Sequence, residues 1–361
     1  MQAIVLVGGE GTRLRPLTYG TPKPMVPIAG VPFLARTLER LSQAGIRDVI
    51  LPAGYMPEQI SDYFGDGSRL GMSITYVIEA TPLGTAGALK NVEQYIAGPF
   101  FVLNGDVLTS LDLRAMMAEH ERKGGIGLLH LIRVEDPSAF GCVVHDRDGR
   151  ISAFVEKPPR ESAPTNEINA GTYLFEREIL DLIPAGRNVS IERETFPQII
   201  AAGKGLYAYT TDDYWIDLGK PEQYLGAHRD VLARRMPMLR LEPGVSGEGA
   251  PALANVSKLH LPVHADRGVR VDPSAEIGPN AVIGEQTFIG ASAIVRDSVL
   301  WDRVIIEEGA SVDGAIVASG ARIGRGARVE PGSVIGHDTI VGPGEVLERG
   351  SRVGASAPIT R

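Results

Sequence analysis

The sequence predicts an α/β domain on a Rossmann-like, mixed but mostly parallel sheet, followed by a parallel β-helix. Three observations predict it. Up to about residue 235, short apolar runs alternate with amphipathic stretches, as in a sheet with crossover helices. From about residue 266 the helical period gives way to an apolar residue at every sixth position. Between these regimes, Gly141 to Val144 and Ile151 to Val155, joined by Asp146-Arg147-Asp148-Gly149, read as a hairpin, so the first sheet carries an antiparallel excursion.

In the first half the strands are expected at Ala3 to Val7, Asp48 to Pro52, Ser73 to Ile78 and Phe100 to Asn104. Helical patterns fall at Pro32 to Gln43, Pro57 to Phe64, Thr85 to Gln94 and Leu111 to Lys123. Continuous apolar strands separated by helices favour a parallel sheet covered on both faces. At 361 residues the chain exceeds one usual domain, and the expected boundaries are 1–235, a Pro-rich linker over 236–265 carrying Pro237, Pro243, Pro251 and Pro262, and 266–361.

In the second half Val271, Ile277, Ile283, Ile289 and Val295 set the beat, which resumes at Ile306 and Val312 and again from Ile323 to Val353. It resembles the hexapeptide repeat of the left-handed parallel β-helix, each hexad forming one side of a triangular coil. Glycine and small residues fall where such a coil must turn. The beat loses one residue twice, between Val295 and Ile306 and between Val312 and Ile323, yet about five coils fit and can stack a continuous core. A disordered Gly-rich tail would not hold apolar residues in register this long.

The net charge of -8, from 36 basic and 44 acidic residues without a long basic run, argues against nucleic-acid and membrane partners. The one cysteine, Cys142, lies in an apolar stretch and reads as a small buried hydrophobe, and a lone cysteine cannot build a disulfide framework. Met1 to Val7 has neither a basic leader nor a long apolar segment, so a cytoplasmic protein is expected.

The first strand ends in Val7-Gly8-Gly9-Glu10-Gly11-Thr12-Arg13-Leu14, a glycine-rich loop at the carboxyl edge of the sheet. Glycines let backbone N–H groups approach phosphate, and Arg13 adds a fork of donors. Leu14 stands where a dinucleotide fingerprint needs its third glycine, and no Gly-Lys-Ser/Thr follows, so the nicotinamide and Walker readings fall away. Further on, Pro22 and Pro24 brace Lys23 on a stiff segment expected to be extended and aimed from the same loop. Asp106 and Asp217 each follow an apolar strand; on their chemistry alone they fit either a hard-cation site or turn caps.

The span Gly8 to Thr18 followed by Pro22-Lys23-Pro24 resembles the opening loop of the sugar-1-phosphate nucleotidyltransferases. Later pieces match in order: Pro82 to Gly87, Asn104-Gly105-Asp106, Phe140-Gly141, Val155-Glu156-Lys157-Pro158, Asn169-Ala170-Gly171 and Trp215 to Gly219. The resemblance implies that Arg13 and Lys23 act on the reacting phosphates and that Gly8, Gly9, Gly11, Thr12, Glu79, Gly84, Thr85 and Asp106 bind nucleotide. It implies that Gly141, Glu156, Lys157 and Asn169 bind the sugar phosphate, that Asp106 and Asp217 hold Mg²⁺, and that Tyr173 and Trp215 pack. Many members append a left-handed β-helix, here expected to assemble a homo-oligomer.

Within that family, Leu83 to Gly87 together with Ser190 to Pro197 look most like the mannose-1-phosphate guanylyltransferases, which implies GTP and mannose 1-phosphate as substrates. Glu79 fits this: one carboxylate can accept from guanine N1–H and N2–H₂, although a merely solvated Glu79 is the bland alternative. Other family readings are uridylyl, thymidylyl or adenylyl transfer to glucose 1-phosphate, or GTP with a heptose phosphate. From different classes come a hexapeptide acyltransferase, for which His337 is one of few candidate bases, and a catalytically silent regulatory paralogue.

Overall fold

An apolar run with no polar alternation must be covered on both faces, and Gln2–Leu6 is: Ala3, Ile4 and Val5 are fully buried. In the computed structural model, which describes residues 1–236, 239, 241 and 251–354, this strand lies parallel between Phe100–Asn104 and Asp48–Ala53. Ser73–Ile78 adds in parallel beyond Asp48–Ala53. On the far side of Phe100–Asn104 the sheet turns antiparallel through Glu167–Phe175, which also pairs with Gly127–Arg133. Gly127–Arg133 in turn takes Leu206–Thr211 in parallel. The expected hairpin forms from Gly141–His145 and Ile151–Glu156 and joins through the Ile168 to Cys142 pairing, which completes nine strands.

The helices follow the sequence closely. Leu113–Lys123 begins two residues after the expected Leu111, because the Asp112 side chain accepts from the Arg114 and Ala115 N–H groups and caps it there. His120, Arg122 and Lys123 fill its last turn, where cations complement the helix dipole. Phe33–Gln43 and Pro57–Phe64 stand as expected, the helix expected over Thr85 to Gln94 spans Gly84–Asn91 and is followed by a 3₁₀ turn over Glu93–Tyr95, and Pro221–Leu232 adds a helix that buries Tyr224, Leu225, His228 and Val231.

The chain divides into two compact units, Met1–Gly9 with Thr37–Trp215, and Glu10–Arg36 with Ile216–Arg361. The first holds the nine-stranded sheet. The second holds a left-handed parallel β-helix together with the Glu10–Arg36 segment.

Three parallel ladders form that β-helix, starting at Lys258–Leu259, Val263–Ala265 and Arg270–Val271. The stretch read as a linker thus contributes two strands; Pro237 and Pro243 lie outside the described residues. Ile289, Ile306, Ile323 and Val341 stack above one another and are at most 1% exposed. The two missing residues are taken from corners of one edge, between Arg296 and Val299 and between Asp313 and Ile316. At the first of these, the buried Ser298 hydroxyl donates to Arg296 O at 2.6 Å and accepts from Ala315 N at 3.1 Å, so a shortened corner keeps its polar groups paired.

Outward residues differ by ladder. Val282, Val299, Ile316 and Val334 on the second ladder are at most 3% exposed, whereas Phe288, Ile305 and Ile340 on the third are 39%, 37% and 73% exposed.

Because Ile323 sits mid-stack and fully buried, Ile323→Ala should leave a cavity that neighbouring coils cannot close and destabilise the protein by about 2–5 kcal/mol in urea denaturation. A loss under about 1 kcal/mol would mean that the stack repacks freely.

Candidate active site

The first unit supplies three groups of side chains. At one, the carboxylate of Glu79 lies beside Gly8: a Cβ added to Gly8 would stand 3.4 Å from Glu79 Oε2. Glu79 N donates to Ala53 O at 3.0 Å, which holds the residue at the end of its strand. Its Oε1 is buried and has no hydrogen-bond partner among the described residues. Burial pushes the carboxyl above its usual range, against a lowering backbone hydrogen bond from Leu83. The site therefore keeps one buried acceptor ready for a donor-rich ligand.

The adjoining loop is tied down from the other side. Gly84 has φ 69°, and a Cβ there would meet Val189 O at 2.6 Å; one on Gly87 would meet Arg187 O at 2.4 Å. Only glycine allows this backbone-on-backbone packing. Ala86 N then donates to Val189 O and Val189 N to Leu83 O, both at 2.9 Å. The Thr85 hydroxyl donates to Glu192 at 2.9 Å and accepts from Ile191 N at 2.8 Å. The two sequence motifs Leu83 to Gly87 and Ser190 to Pro197 are thus halves of one brace.

A second group follows the strand Phe100–Asn104. Gly105 N donates to Leu6 O at 2.9 Å, and a Cβ on Gly105 would lie 2.3 Å from that oxygen, so glycine is obligatory here. The turn sets Asp106, half-buried, just past the strand end. Asn104 entered the sequence reading only as part of the Asn104-Gly105-Asp106 match, with no role of its own; its Oδ1 is buried and unpartnered among the described residues, with Gly171 packed against its amide.

The third group gathers Gly141, Glu156 and Lys157. Lys157 has φ 49° and donates its N–H to Phe140 O at 2.9 Å, while its Nζ stands 3.4 Å from Glu156 Oε1. A Cβ on Gly141 would strike the Phe154 ring at 2.4 Å and approach Glu156 Oε2 to 3.0 Å. Asn169 donates to the buried Tyr173 hydroxyl at 2.7 Å and accepts from Gly171 N at 3.1 Å, which fixes its rotamer. Trp215 donates to Ala170 O at 2.9 Å and meets Phe140 edge to face. Tyr173 and Trp215 pack and orient.

The second unit supplies Gly11, Thr12, Arg13, Lys23 and Asp217. Gly11 has φ 64°, and a Cβ there would press to 3.0 Å on Lys23 Cβ and on Thr18 Cγ2, whose Oγ1 donates to Gly11 O at 2.9 Å. Lys23 does not lie on extended backbone as expected. Pro22 is extended, but Met25 N donates to Pro22 O at 2.7 Å and closes a 3₁₀ turn over Lys23–Met25. The brace remains, with the lysine at the start of a turn. Thr12 and Arg13 are exposed in a 3₁₀ turn of their own. Arg13 and Asp217 converge on Gly219: a Cβ there would lie 2.6 Å from Arg13 Nη2 and 2.9 Å from Asp217 Oδ2. A buried glycine two residues after a strand-end aspartate was the available signal, and sequence alone does not say what it makes room for.

His337, the candidate base of the acyltransferase reading, sits against the Leu17 to Thr21 segment. Its Nε2 lies 3.1 Å from Thr21 Oγ1 and 3.2 Å from Leu17 O, its ring meets Trp301 edge to face, and burial lowers its pKa.

The family described as Nucleotidyl transferase matches residues 2–234, and the one described as GMPPB C-terminal domain matches 259–357. A mannose-1-phosphate guanylyltransferase of Mycobacterium tuberculosis is 48% identical over 234 residues, 64% of this chain and 65% of that one. A UTP–glucose-1-phosphate uridylyltransferase of Synechocystis is 38% identical over 68% of each. The alignments thus span about two thirds of these relatives' lengths. Among solved structures, HddC from Yersinia pseudotuberculosis complexed with GMP-PN matches with TM-score 0.55 and 33% identity over 63% of this chain and 97% of that one. A putative glucose-1-phosphate thymidylyltransferase from Bacillus anthracis matches with TM-score 0.60 and 25% identity over 67% and 97%.

Gly219→Ala should separate site from scaffold, since the nearest obstacle is the mobile end of Arg13 rather than backbone. Thermal stability should stay near wild type while kcat falls at least about tenfold from misplacement of Arg13 and Asp217. Unchanged kcat in this variant would remove that convergence from the working site.

Proposed function

We propose, since this chain belongs to the nucleotidyl transferase family, that it transfers the nucleotidyl group of GTP to mannose 1-phosphate, giving GDP-mannose and pyrophosphate. The observation that carries the base is Glu79. Guanine presents N1–H and N2–H₂ side by side, and the buried, unpartnered Oε1 together with Oε2 can accept both. Adenine would turn an unprotonated N1 toward the carboxylate, and uracil offers a single N3–H flanked by carbonyls.

In this reading the backbone N–H groups of Gly8, Gly9, Gly11 and Thr12 meet the triphosphate, with Arg13 and Lys23 neutralising its charge. Gly84 and Thr85 hold the base loop. Lys157 pairs with the phosphate of mannose 1-phosphate, and Glu156, Asn169 and the backbone of Gly141 read its hydroxyls. A phosphate oxygen of the sugar phosphate attacks the α-phosphorus in line as the bond to pyrophosphate breaks. That oxygen is already ionised, so no general base is needed, and the residues act by positioning and charge stabilisation.

Nucleotidyltransferases of this family use a divalent metal. Asp106 and Asp217 are half-buried strand-end carboxylates, and among the described residues no three His, Cys, Asp or Glu form a protein-only cage. Two hard carboxylates fit Mg²⁺, which keeps several waters and substrate phosphates in its shell. When bound, Mg²⁺ stabilises charge developing on the phosphates. No described helix is long and apolar enough to cross a membrane. The working form in this reading is a cytoplasmic homo-oligomer joined through the β-helix, where Phe288, Ile305 and Ile340 stand exposed on one ladder.

Incubating the protein with GTP, UTP, dTTP or ATP against a panel of sugar 1-phosphates and measuring pyrophosphate should give the highest kcat/KM for GTP with mannose 1-phosphate. A higher value for UTP with glucose 1-phosphate would select the uridylyl reading. With the preferred pair and Mg²⁺, Asp106→Asn and Asp217→Asn should each lower kcat at least about a hundredfold. Near-normal turnover in either would exclude it from the metal site.

Glu79→Gln should lower discrimination for GTP over UTP by roughly 1–3 kcal/mol. An unchanged ratio would take Glu79 out of the base site.

A further inference from the structure

The β-helix reaches the glycine-rich loop directly within the second unit. On the second ladder, successive coils carry outward residues His264, Val282, Val299, Ile316, Val334 and Arg352. The four apolar ones are almost fully buried, so this is the covered face of the coil. Beside it, Trp301 donates to the Tyr224 hydroxyl at 3.0 Å, and Tyr224 donates to Pro27 O at 2.6 Å. Toward the last coils, contacts fall on the backbone that follows Gly11. Arg352 Nη1 donates to Arg15 O at 2.7 Å and to Arg13 O at 3.2 Å. His337 Nε2 reaches Leu17 O and Thr21 Oγ1. Pro16 seats against Gly336 and Gly354, where added Cβ atoms would come within 3.2 and 2.9 Å of it, and a Cβ on Gly20 would lie 2.9 Å from His337 Cδ2.

We propose that Arg352 and His337 are positioning residues, which hold the backbone from Arg13 to Thr21 in its phosphate-binding course so that turnover depends on the last two coils of the β-helix. This rests on the reading that Arg13 meets the triphosphate. Arg13 is exposed, and the carbonyl of its own residue is one that Arg352 grips. A guanidinium donating to two carbonyls of one turn is a charge-assisted clamp that fixes backbone direction, and a displacement of about 1 Å at a reacting centre can cost about a hundredfold. Arg352 is exposed at the end of the ladder and His337 is partly buried, and both bond to the Arg13–Thr21 segment itself, to the carbonyls of Arg13, Arg15 and Leu17 and to the Thr21 hydroxyl, so in this proposal they act through the loop.

The test uses the full chain. Arg352→Ala should raise KM for the triphosphate at least about fivefold while KM for the sugar phosphate stays within about twofold, with Tm unchanged. Arg352→Lys, which keeps a donor cation, should recover part of the loss. His337→Phe, which keeps the ring against Trp301 and Gly20 but not the nitrogen, should act in the same direction. Arg328→Ala, an exposed arginine on the first ladder, should behave as wild type. Amide hydrogen exchange from Glu10 to Met25 gives a second readout that is independent of the substrate: it should speed up in Arg352→Ala and not in Arg328→Ala. Wild-type exchange and wild-type KM values in Arg352→Ala would overturn the inference, as would a fall in Tm with both KM values rising together. If wild type turns over no substrate pair, the guanylyl reading fails and the exchange result alone decides the clamp.

Discussion

A glycine-rich loop presents backbone N–H groups well because it has few side chains, and for the same reason it cannot order itself. Its conformational entropy must be offset by contacts from elsewhere. In this protein those contacts arrive in layers. Thr18 ties back to Gly11 O, Lys23 packs against Gly11, and Pro16 and Leu17 are gripped by residues of the last coils. From Gly11 on, the order of the loop is therefore a property of the second unit, and the prolines that brace Lys23 are one part of it.

That arrangement explains the division of the chain. The Glu10–Arg36 segment comes early in sequence yet belongs with the C-terminal unit, and the partners of its Arg13 to Thr21 stretch on the last coils lie 316 to 339 residues away. Closing so long a loop costs entropy before the contacts contribute, although the cost grows only slowly with length. The ladder supplies the compensation locally, because each coil buries its apolar residues on the coil before it, so His337 and Arg352 are delivered to the loop by an already stacked column.

Much of this was readable from residues. Periodicity located the hairpin and the four parallel strands to within a residue or two and the helices to within three, and the six-residue beat anticipated the stacking of the β-helix and the windows that hold its two omissions. Glu167–Phe175 escaped because Asn169-Ala170-Gly171 interrupts the apolar pattern with a motif. The first two strands of the ladders escaped because Pro251 and Pro262 make their surroundings read as linker. Among the candidate residues, Asp106, Lys157 and Glu79 could be put forward from the sequence because their side-chain chemistry selects them. Their supports could not, because Gly105 and Gly219 owe their identity to an oxygen or a guanidinium that only the folded chain brings within 3 Å.

The unpartnered oxygens carry the last step. A buried acceptor without a donor lowers stability, and a folded chain normally satisfies it. Glu79 Oε1 and Asn104 Oδ1 are left without partners among the described residues, whereas nearby Thr85 and Asn169 are each held by two hydrogen bonds. This contrast separates two kinds of polar residue within the same unit. The doubly bonded ones are oriented by those bonds and set the shape of the loops, and the Asn169 carboxamide still has one N–H and one lone pair to offer. Glu79 keeps Oε1 unfilled while its Oε2 lies beside Gly8, a residue with no side chain to fill the space, so in the proposed reading a donor from a ligand would offset the cost of that buried acceptor.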